Sequence, residues 1–295
     1  MKYKIVNPPS LKLSVENESM LVDEDVDIEM DQDSSDILPV IFTRYLYIKE
    51  EVLTSLILSI LEKQKDESLF WAYELYNSGF QELVMEFILS MYNEMFKAHN
   101  PKLGRFLTAR FDEWNADKSL THILGTMVLN LCDPTRKFKV DGFITRKFPT
   151  SSENIDSAFY IMFSKDELLK YDSISGEIPR KVLEKACIYS TRKNVNSIFK
   201  CAHVELPADQ LKDMLFYNWL YYASFSPIWA DRISQFGGVI SHETKTVEFV
   251  EPEDFYELYG LEPDEQRSVV IRKLTHYEGE VEQMTEDEFI SRYNG

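Results

Sequence analysis

Apolar residues recur at helical spacing along the first half of this chain, and this recurrence constrains its fold more than any other feature. Within residues 50–63, Val52, Leu56 and Ile60 fall at successive i+4 positions, which places them on one face of an α-helix. The same pattern predicts four more helices, at about 66–77, 81–98, 102–114 and 118–131. The segments end at sequences that stop helices, namely Asn77-Ser78-Gly79, Asn100-Pro101 and Asp133-Pro134.

The composition supports a helical fold. The 295 residues include only 10 Gly and 11 Pro, whereas an all-β sandwich or barrel needs many turns rich in these residues. No repeat period relates the predicted helices, so a named solenoid family is not indicated. We therefore expect a mainly α fold, an irregular helical bundle or helical array with one or two small β-hairpins.

Later segments predict these hairpins and the remaining helices. Residues 136–148 alternate basic residues with aromatic and β-branched residues around Asp141-Gly142, which is typical of a hairpin, and residues 239–250 form a second candidate. Further helices are predicted at about 166–171, 179–189, 208–224, 253–259 and 285–293. We expect one helical region over 37–134 and another, with the hairpins, over 135–295, either separate from the first or continuous with it.

The net charge of −18 is distributed unevenly. Residues 1–96 carry 7 Lys/Arg and 19 Asp/Glu, residues 97–200 carry 18 and 12, and residues 201–295 carry 7 and 19. Between Glu16 and Asp36 there are ten acids and no base, a density that leaves too little apolar area to offset the entropy of ordering. Residues 1–36 are therefore predicted to be a disordered acidic tail, either a solvated leader or a segment that docks on a basic surface.

The sequence shows no signal for export or for membrane insertion. No apolar run approaches the roughly 20 residues that a membrane span needs, and the N-terminus lacks the apolar core of a signal peptide. Cys132, Cys187 and Cys201 are an odd number at unrelated spacings, unlike the disulfide framework of a small secreted domain. We expect a cytoplasmic protein that is not secreted and has no membrane partner.

Motifs that carry catalysis or cofactor binding are missing from the sequence. It contains no GxxxxGK[ST], GxGxxG, GxSxG, HExxH or CxxC pattern. The best metal candidate combines Cys187 with Cys201 and His203, but buried structural cysteines and a lone histidine explain these residues better. The sequence therefore predicts no catalytic residue, no metal site and no cofactor, and an enzyme remains a possibility only with an unlocated site.

One basic, aromatic pattern has a binding mechanism, and it lies in the first predicted hairpin. Its bases suit phosphate contacts and its rings suit stacking on nucleic-acid bases. The candidate residues are Arg136, Lys137, Phe138, Lys139, Phe143, Arg146, Lys147 and Phe148. The alternative is a surface hairpin whose phenylalanines face the core and whose bases are solvated. The isoelectric point near 4.8 favours this alternative.

Two stretches of the sequence are distinctive. The first is Glu67–Phe80, with the sequence ESLFWAYELYNSGF. The second comprises Gly237-Gly238, Phe249, Phe255-Tyr256, Tyr259-Gly260 and Glu262-Pro263-Asp264-Glu265-Gln266. Both stretches resemble an uncharacterised protein family of nucleocytoplasmic large DNA viruses. The resemblance implies a viral protein made in the host cytoplasm, and it implies no activity, cofactor or site residue.

The charge distribution and the missing motifs lead to three functional hypotheses. The first is a non-enzymatic protein–protein interaction or scaffold protein whose acidic surfaces bind a basic protein partner. The alternative is a nucleic-acid-associated accessory factor that uses the basic middle block, residues 97–200. The third is an enzyme whose active site the sequence does not locate.

Overall fold

The computed structural model describes residues 40–140, 159–195, 198–199, 207–275 and 282–293. They belong to one compact unit that spans residues 39–295. Within the described ranges the chain forms thirteen α-helices and one two-stranded antiparallel sheet, which confirms the mainly α fold with a small hairpin. The predicted acidic tail, residues 1–36, lies outside these ranges. Among the helices in them, none is both long enough and apolar enough to span a bilayer.

Five helices form the N-terminal part of the compact unit, close to their predicted positions. They are α1 (Lys49–Leu61), α2 (Lys65–Asn77), α3 (Gln81–Met91), α4 (Leu103–Ala116) and α5 (His122–Leu131). Helix α1 packs along α2, and α2 also packs against α5. Gly79 follows α2 with a φ of +95°, a backbone conformation that glycine adopts without the steric cost of a Cβ atom. The predicted stop therefore has the expected backbone geometry.

Helix α1 is buried on nearly all sides, whereas its sequence predicts a helix with one exposed face. The buried set includes the polar residues Glu51, Thr54, Ser55 and Ser59. The hydroxyl groups of Thr54, Ser55 and Ser59 donate to backbone carbonyls of the helix, for example from Ser55 Oγ to the Glu51 carbonyl at 2.7 Å. Because these internal hydrogen bonds satisfy the serine and threonine side chains, α1 can lie at the centre of the fold despite its polar residues.

Helix α3 ends in a π-helical turn, Tyr92–Phe96, instead of continuing as α-helix to residue 98. The backbone N–H of Lys139 donates to the Met95 carbonyl in this turn at 2.9 Å. The Asn100 side-chain amide donates to the Lys137 carbonyl at 2.7 Å. Residues 137–139 therefore lie against the end of α3. Residues 136–140 contain no strand, so the described part of the first predicted hairpin is not a hairpin strand.

The C-terminal half contains shorter helices than its sequence predicts. They are α6 (Lys165–Leu168), α7 (Val182–Ala186), α8 (Ala208–Phe216), α9 (Trp219–Ala223), α10 (Pro227–Gln235), α11 (Pro252–Tyr259), α12 (Ser268–Thr275) and α13 (Glu286–Tyr293). The single helix expected over 208–224 is divided into α8 and α9, because Asn218 leaves the helical conformation with a φ of −127°. Helices α10 and α12 were not predicted.

The second predicted hairpin is confirmed. Strand β1 (Val239–Ser241) pairs antiparallel with β2 (Thr246–Glu248), with Val239 opposite Glu248 and Ile240 opposite Val247. Ile240 and Val247 pack against the core. Because alternate residues of a strand point to opposite faces, Val239 and Glu248 share the outward face of this hairpin.

Side chains from the early and late parts of the compact unit contact each other in a common core. Trp229 of α10 donates through Nε1 to the Thr43 carbonyl at 3.2 Å. Tyr47 donates through its hydroxyl to the Tyr189 carbonyl at 2.8 Å, and the Tyr47 ring packs edge-on against Trp71. These contacts join residues 40–77 to residues 189 and 229.

Candidate interaction surfaces

Arg136, the first base of the predicted nucleic-acid segment, is a core residue. It is 1% exposed, and its Nη2 atom donates to the Phe159 carbonyl at 2.7 Å. Its guanidinium also lies 5.5 Å from the centre of the Tyr160 ring. The buried guanidinium therefore connects Arg136 to residues 159–160. In this position it is poorly placed to contact a phosphate at the protein surface.

The other residues of that segment divide into exposed, packed and undescribed groups. Lys137 is exposed, Lys139 is half-buried, and Phe138 packs against Phe96 with 5.4 Å between the ring centres. For Phe138 this favours the alternative in which the phenylalanine faces the core. Phe143, Arg146, Lys147 and Phe148 lie outside the described residues, so their predicted role stays a prediction.

Lys63 holds the packed part of the predicted nucleic-acid segment against the fold. Its Nζ atom donates to the carbonyls of Leu131 at 2.8 Å and Arg136 at 3.2 Å. The same ammonium lies about 5 Å from the ring centres of Phe96 and Phe138. Burial lowers the pKa of Lys63 to about 8, because desolvation disfavours the charged amine. Lys63 thus connects the C-terminus of α5 to residues 136–138, a structural role.

A surface with exposed rings and many bases lies beside this segment, and we call it the aromatic–basic surface. Tyr160 stacks on Phe106 of α4 with ring centres 4.2 Å apart and planes 5° apart. Phe159 is 83% exposed and Tyr160 is 37% exposed. The adjoining segments 93–106 and 133–140 contain six bases and two acids. The bases are Lys97, Lys102, Arg105, Arg136, Lys137 and Lys139, and the acids are Glu94 and Asp133.

A second surface is formed by the outward faces of the β-hairpin and α11, and we call it the acidic–apolar surface. Residues 246–266 contain eight acids and no base. Among the described residues, none forms an ion pair with five of these acids: Glu248, Glu251, Glu253, Asp254 and Glu257. Apolar side chains are exposed between them, with Val250 at 93%, Val239 at 66% and Leu258 at 58%.

The packing of α11 explains why these acids face outward. Phe255 is fully buried, and Phe249, directly after β2, stacks on it with ring centres 4.4 Å apart. Tyr259, one turn later, packs against Phe236. Because residues four apart share one face of a helix, this inward pair places Glu253 and Glu257 on the opposite side, and Asp254 and Leu258 are exposed on the flank beside them. The absence of bases from residues 246–266 is the sequence signal that marks this surface.

The two described cysteines, Cys132 and Cys187, are buried and poorly suited to nucleophilic catalysis or metal binding. Burial raises the pKa of the Cys132 thiol to about 11 and raises that of Cys187 further, so both are poor thiolate nucleophiles and ligands. Cys201 and His203 lie outside the described residues. In the described part of the chain, no group of three or more His, Cys, Asp or Glu side chains is placed to hold a metal ion.

An open cleft of about 310 Å³ lies between the start of α7 and the start of α12. Its lining includes Arg180, Lys181, Arg267, Glu184 and Glu265. Arg267 pairs with Glu184, and Arg180 lies 3.9 Å from Glu265. Since two of its three cations already have carboxylate partners, the cleft has no clear charge preference for a ligand.

Comparison of the chain with protein-family models, with curated proteins and with solved structures finds no match. The resemblance to an uncharacterised viral family therefore remains a prediction from the sequence. The two surfaces and the charges of the described residues are the features that bear on function.

Proposed function

We propose that this protein is a non-enzymatic interaction protein whose acidic–apolar surface binds a basic, amphipathic segment of a partner protein. The observation that carries the proposal is a set of five carboxylates that form no ion pair with any described residue, together with exposed Val239, Val250 and Leu258, on one hairpin and helix. Exposed apolar groups rimmed by polar residues are typical of protein contact sites. Complementary charge selects a basic partner and repels an acidic one.

The test uses a labelled amphipathic peptide with Lys on one helical face and Leu on the other. We expect the full chain to bind it, and the variant Glu253→Gln/Asp254→Asn/Glu257→Gln to bind about tenfold more weakly. Three exposed charge pairs together contribute on the order of 1–2 kcal/mol, which corresponds to about tenfold in affinity. Fluorescence anisotropy at physiological salt measures the dissociation constants.

A matched variant separates a specific surface from the effect of total charge. Glu86→Gln/Asp209→Asn/Asp213→Asn removes three exposed acids from α3 and α8 and should bind the peptide as the unmodified chain does. A peptide with the same Lys residues and Ser in place of Leu should bind more weakly, because it cannot cover the exposed valines and leucine. Equal weakening by both triple variants, or equal binding of both peptides, would contradict the proposal.

A second candidate function is binding of single-stranded nucleic acid at the aromatic–basic surface. The observation in its favour is the exposed Phe159 ring beside the Phe106–Tyr160 stack, together with the five bases of the adjoining segments other than the buried Arg136. Exposed rings stack on bases of any sequence, and nearby cations contact phosphates. The overall charge of −18 opposes the approach of a polyanion, so binding should be strongest at moderate salt, where distant charges are screened.

For this second candidate we expect labelled single-stranded DNA or RNA to bind the full chain. Replacement Phe159→Ala should weaken binding about tenfold, within the roughly 1–3 kcal/mol that one stacked base contributes. Arg105→Gln should reduce the dependence of affinity on salt. The control Tyr217→Ala removes another exposed ring, on the C-terminal side of α8, and should leave affinity unchanged. Binding that is insensitive to Phe159→Ala would exclude this surface.

A further inference from the structure

Arg232 on α10 lies in a corner formed by two aromatic rings. Its guanidinium carbon is 4.5 Å from the ring centre of Trp229 and 4.7 Å from that of Tyr259. The two ring centres are 6.3 Å apart and the ring planes are nearly perpendicular, at 80°. The two rings therefore cover the guanidinium from two directions and leave its other directions uncovered.

Both rings are held in place by contacts of their own. Trp229 is fully buried, donates to the Thr43 carbonyl, and packs edge-on against Trp219 at 5.2 Å. Tyr259 packs against Phe236 and Phe255. The guanidinium thus rests against a rigid support. Attraction between a cation and an aromatic ring restrains the side chain without a charged partner.

Among the residues that the structure describes, none provides an acceptor for the N–H donors of Arg232. Within the described residues it forms neither an ion pair nor a hydrogen bond, although Asp and Glu outnumber Lys and Arg by 50 to 32 in the chain. By contrast, Arg44 and Arg192, which are also removed from solvent, each contact a carboxylate. Arg232 is half-buried, so it has lost much of its hydration and gained no acceptor in return, while a small group can still reach it from outside.

The charges around Arg232 leave a local excess of one positive charge. Arg44 and Arg232 both lie within electrostatic range of Glu74. Both oxygens of Glu74 already accept hydrogen bonds, one from Arg44 Nε at 2.9 Å and one from the Tyr45 backbone N–H at 3.1 Å. Burial lowers the pKa of Arg232, and the neighbouring Arg44 lowers it further, while Tyr259, Tyr45 and Glu74 act in the opposite direction. The arginine nevertheless remains charged. A single bound anion would neutralise the excess.

We propose that Arg232 is the anchor of a binding site for a carboxylate group. The planar guanidinium presents two parallel N–H donors that match the two oxygens of a carboxylate. A monoanion fits the single excess charge. A dianionic phosphate fits less well, because its second negative charge would face Glu74 while the other nearby cation among the described residues, Arg44, is already paired. The ligand class is a carboxylate, on a small molecule or on a protein chain.

The experiment compares sodium acetate with sodium chloride and sodium phosphate at equal ionic strength, using the full chain. The chemical shift of the Arg232 side-chain Nε–H resonance reports binding directly, and fluorescence of the adjacent Trp229 gives a second signal. We expect saturable changes with acetate and weaker changes with phosphate. Arg232→Met should abolish these changes. Arg232→Lys keeps the positive charge but loses the pair of parallel N–H donors, so it should weaken acetate binding by about fivefold or more.

Two further arms identify the source of the carboxylate and exclude a general salt effect. A short peptide with a free C-terminal carboxylate and the same peptide with a C-terminal amide distinguish a protein chain end from a small acid, because only the first should compete with acetate. Arg272→Met is the matched control, since Arg272 is an exposed arginine of α12, and it should leave the acetate response intact. An unshifted Arg232 resonance in acetate would overturn the proposal even if Arg232→Met did not fold, and so would phosphate binding more tightly than acetate.

Discussion

Replacement of Glu74 by alanine is expected to lower the free energy of unfolding by about 3–5 kcal/mol. Arg44 Nε lies 2.9 Å from Glu74 Oε2, and the two side chains are only 3% and 0% exposed. The substitution leaves the Arg44 guanidinium buried without its counter-charge and removes the acceptor of the Tyr45 backbone N–H. Since domains are stable by only about 5–15 kcal/mol, urea denaturation followed by circular dichroism should show a large decrease.

Three variants test this explanation. Glu74→Gln keeps the shape and one acceptor, so it should lose less stability than Glu74→Ala. The double variant Arg44→Met/Glu74→Leu should be more stable than Glu74→Ala, because neither charge remains buried. Glu82→Ala breaks the exposed pair with Lys118 and should change stability by about 0.5 kcal/mol or less. A loss below about 1 kcal/mol for Glu74→Ala would show that the buried pair is not needed for stability.

Replacement of Glu51 by glutamine is expected to remove a pH dependence of stability and to stabilise the protein at pH 8 by about 3 kcal/mol. Glu51 is 1% exposed in α1, and Thr191 Oγ1 donates to its Oε2 atom at 2.7 Å. Burial raises the pKa of this carboxyl from 4.5 to about 7, and the Thr191 hydrogen bond and the charge of Lys193 oppose the increase only in part. Chemical denaturation between pH 5 and pH 8 measures the effect.

The direction follows from proton binding in the two states. With its pKa raised to about 7, folded Glu51 holds its proton more tightly than unfolded Glu51, whose pKa is near 4.5. The stabilising contribution of the protonated carboxyl is therefore complete below pH 4.5 and is lost as the pH rises to about 7. Each pKa unit corresponds to about 1.4 kcal/mol, which over this interval gives the expected 3 kcal/mol. Glutamine resembles the neutral acid at every pH, so the difference between variant and parent should grow across that window.

The control for this measurement is Glu253→Gln, which changes an exposed acid of α11. Its stability should follow that of the parent protein at every pH, within about 0.5 kcal/mol. If the curves for Glu51→Gln and the parent stayed parallel between pH 5 and pH 8, the carboxyl of Glu51 would be ionised in the folded state throughout that range. The proposed effect of its burial would then be wrong.

Local patterns in the sequence predicted the positions of most helices and of one hairpin. Val52, Leu56 and Ile60 marked α1, the stop at Gly79 ended α2, and residues 239–250 formed the predicted β-hairpin. Helical periodicity and turn chemistry depend on neighbours within about four residues. Such features can be recognised without knowing what the rest of the chain covers.

The features that carry the functional argument depend on distant contacts. Arg136 looked like a surface base, but the Phe159 carbonyl, 23 residues later, accepts its side chain inside the fold. The break between α8 and α9 and the π-helical turn after α3 likewise have no clear signal in a helical pattern. Tertiary packing overrides local preference at these places.

The sequence by itself determined the mainly α fold, the helix stops and the concentration of acid in residues 246–266, because these properties reside in composition and in short-range spacing. Only the tertiary structure decided which charges are buried, which carboxylates remain without a partner, and which rings are exposed. Burial and electrostatic pairing are set by residues far apart in the chain, as with Glu51 and Thr191 or Arg44 and Glu74. The two rings at Arg232 also depend on tertiary structure, because α10 and α11 bring Trp229 and Tyr259 to the same guanidinium.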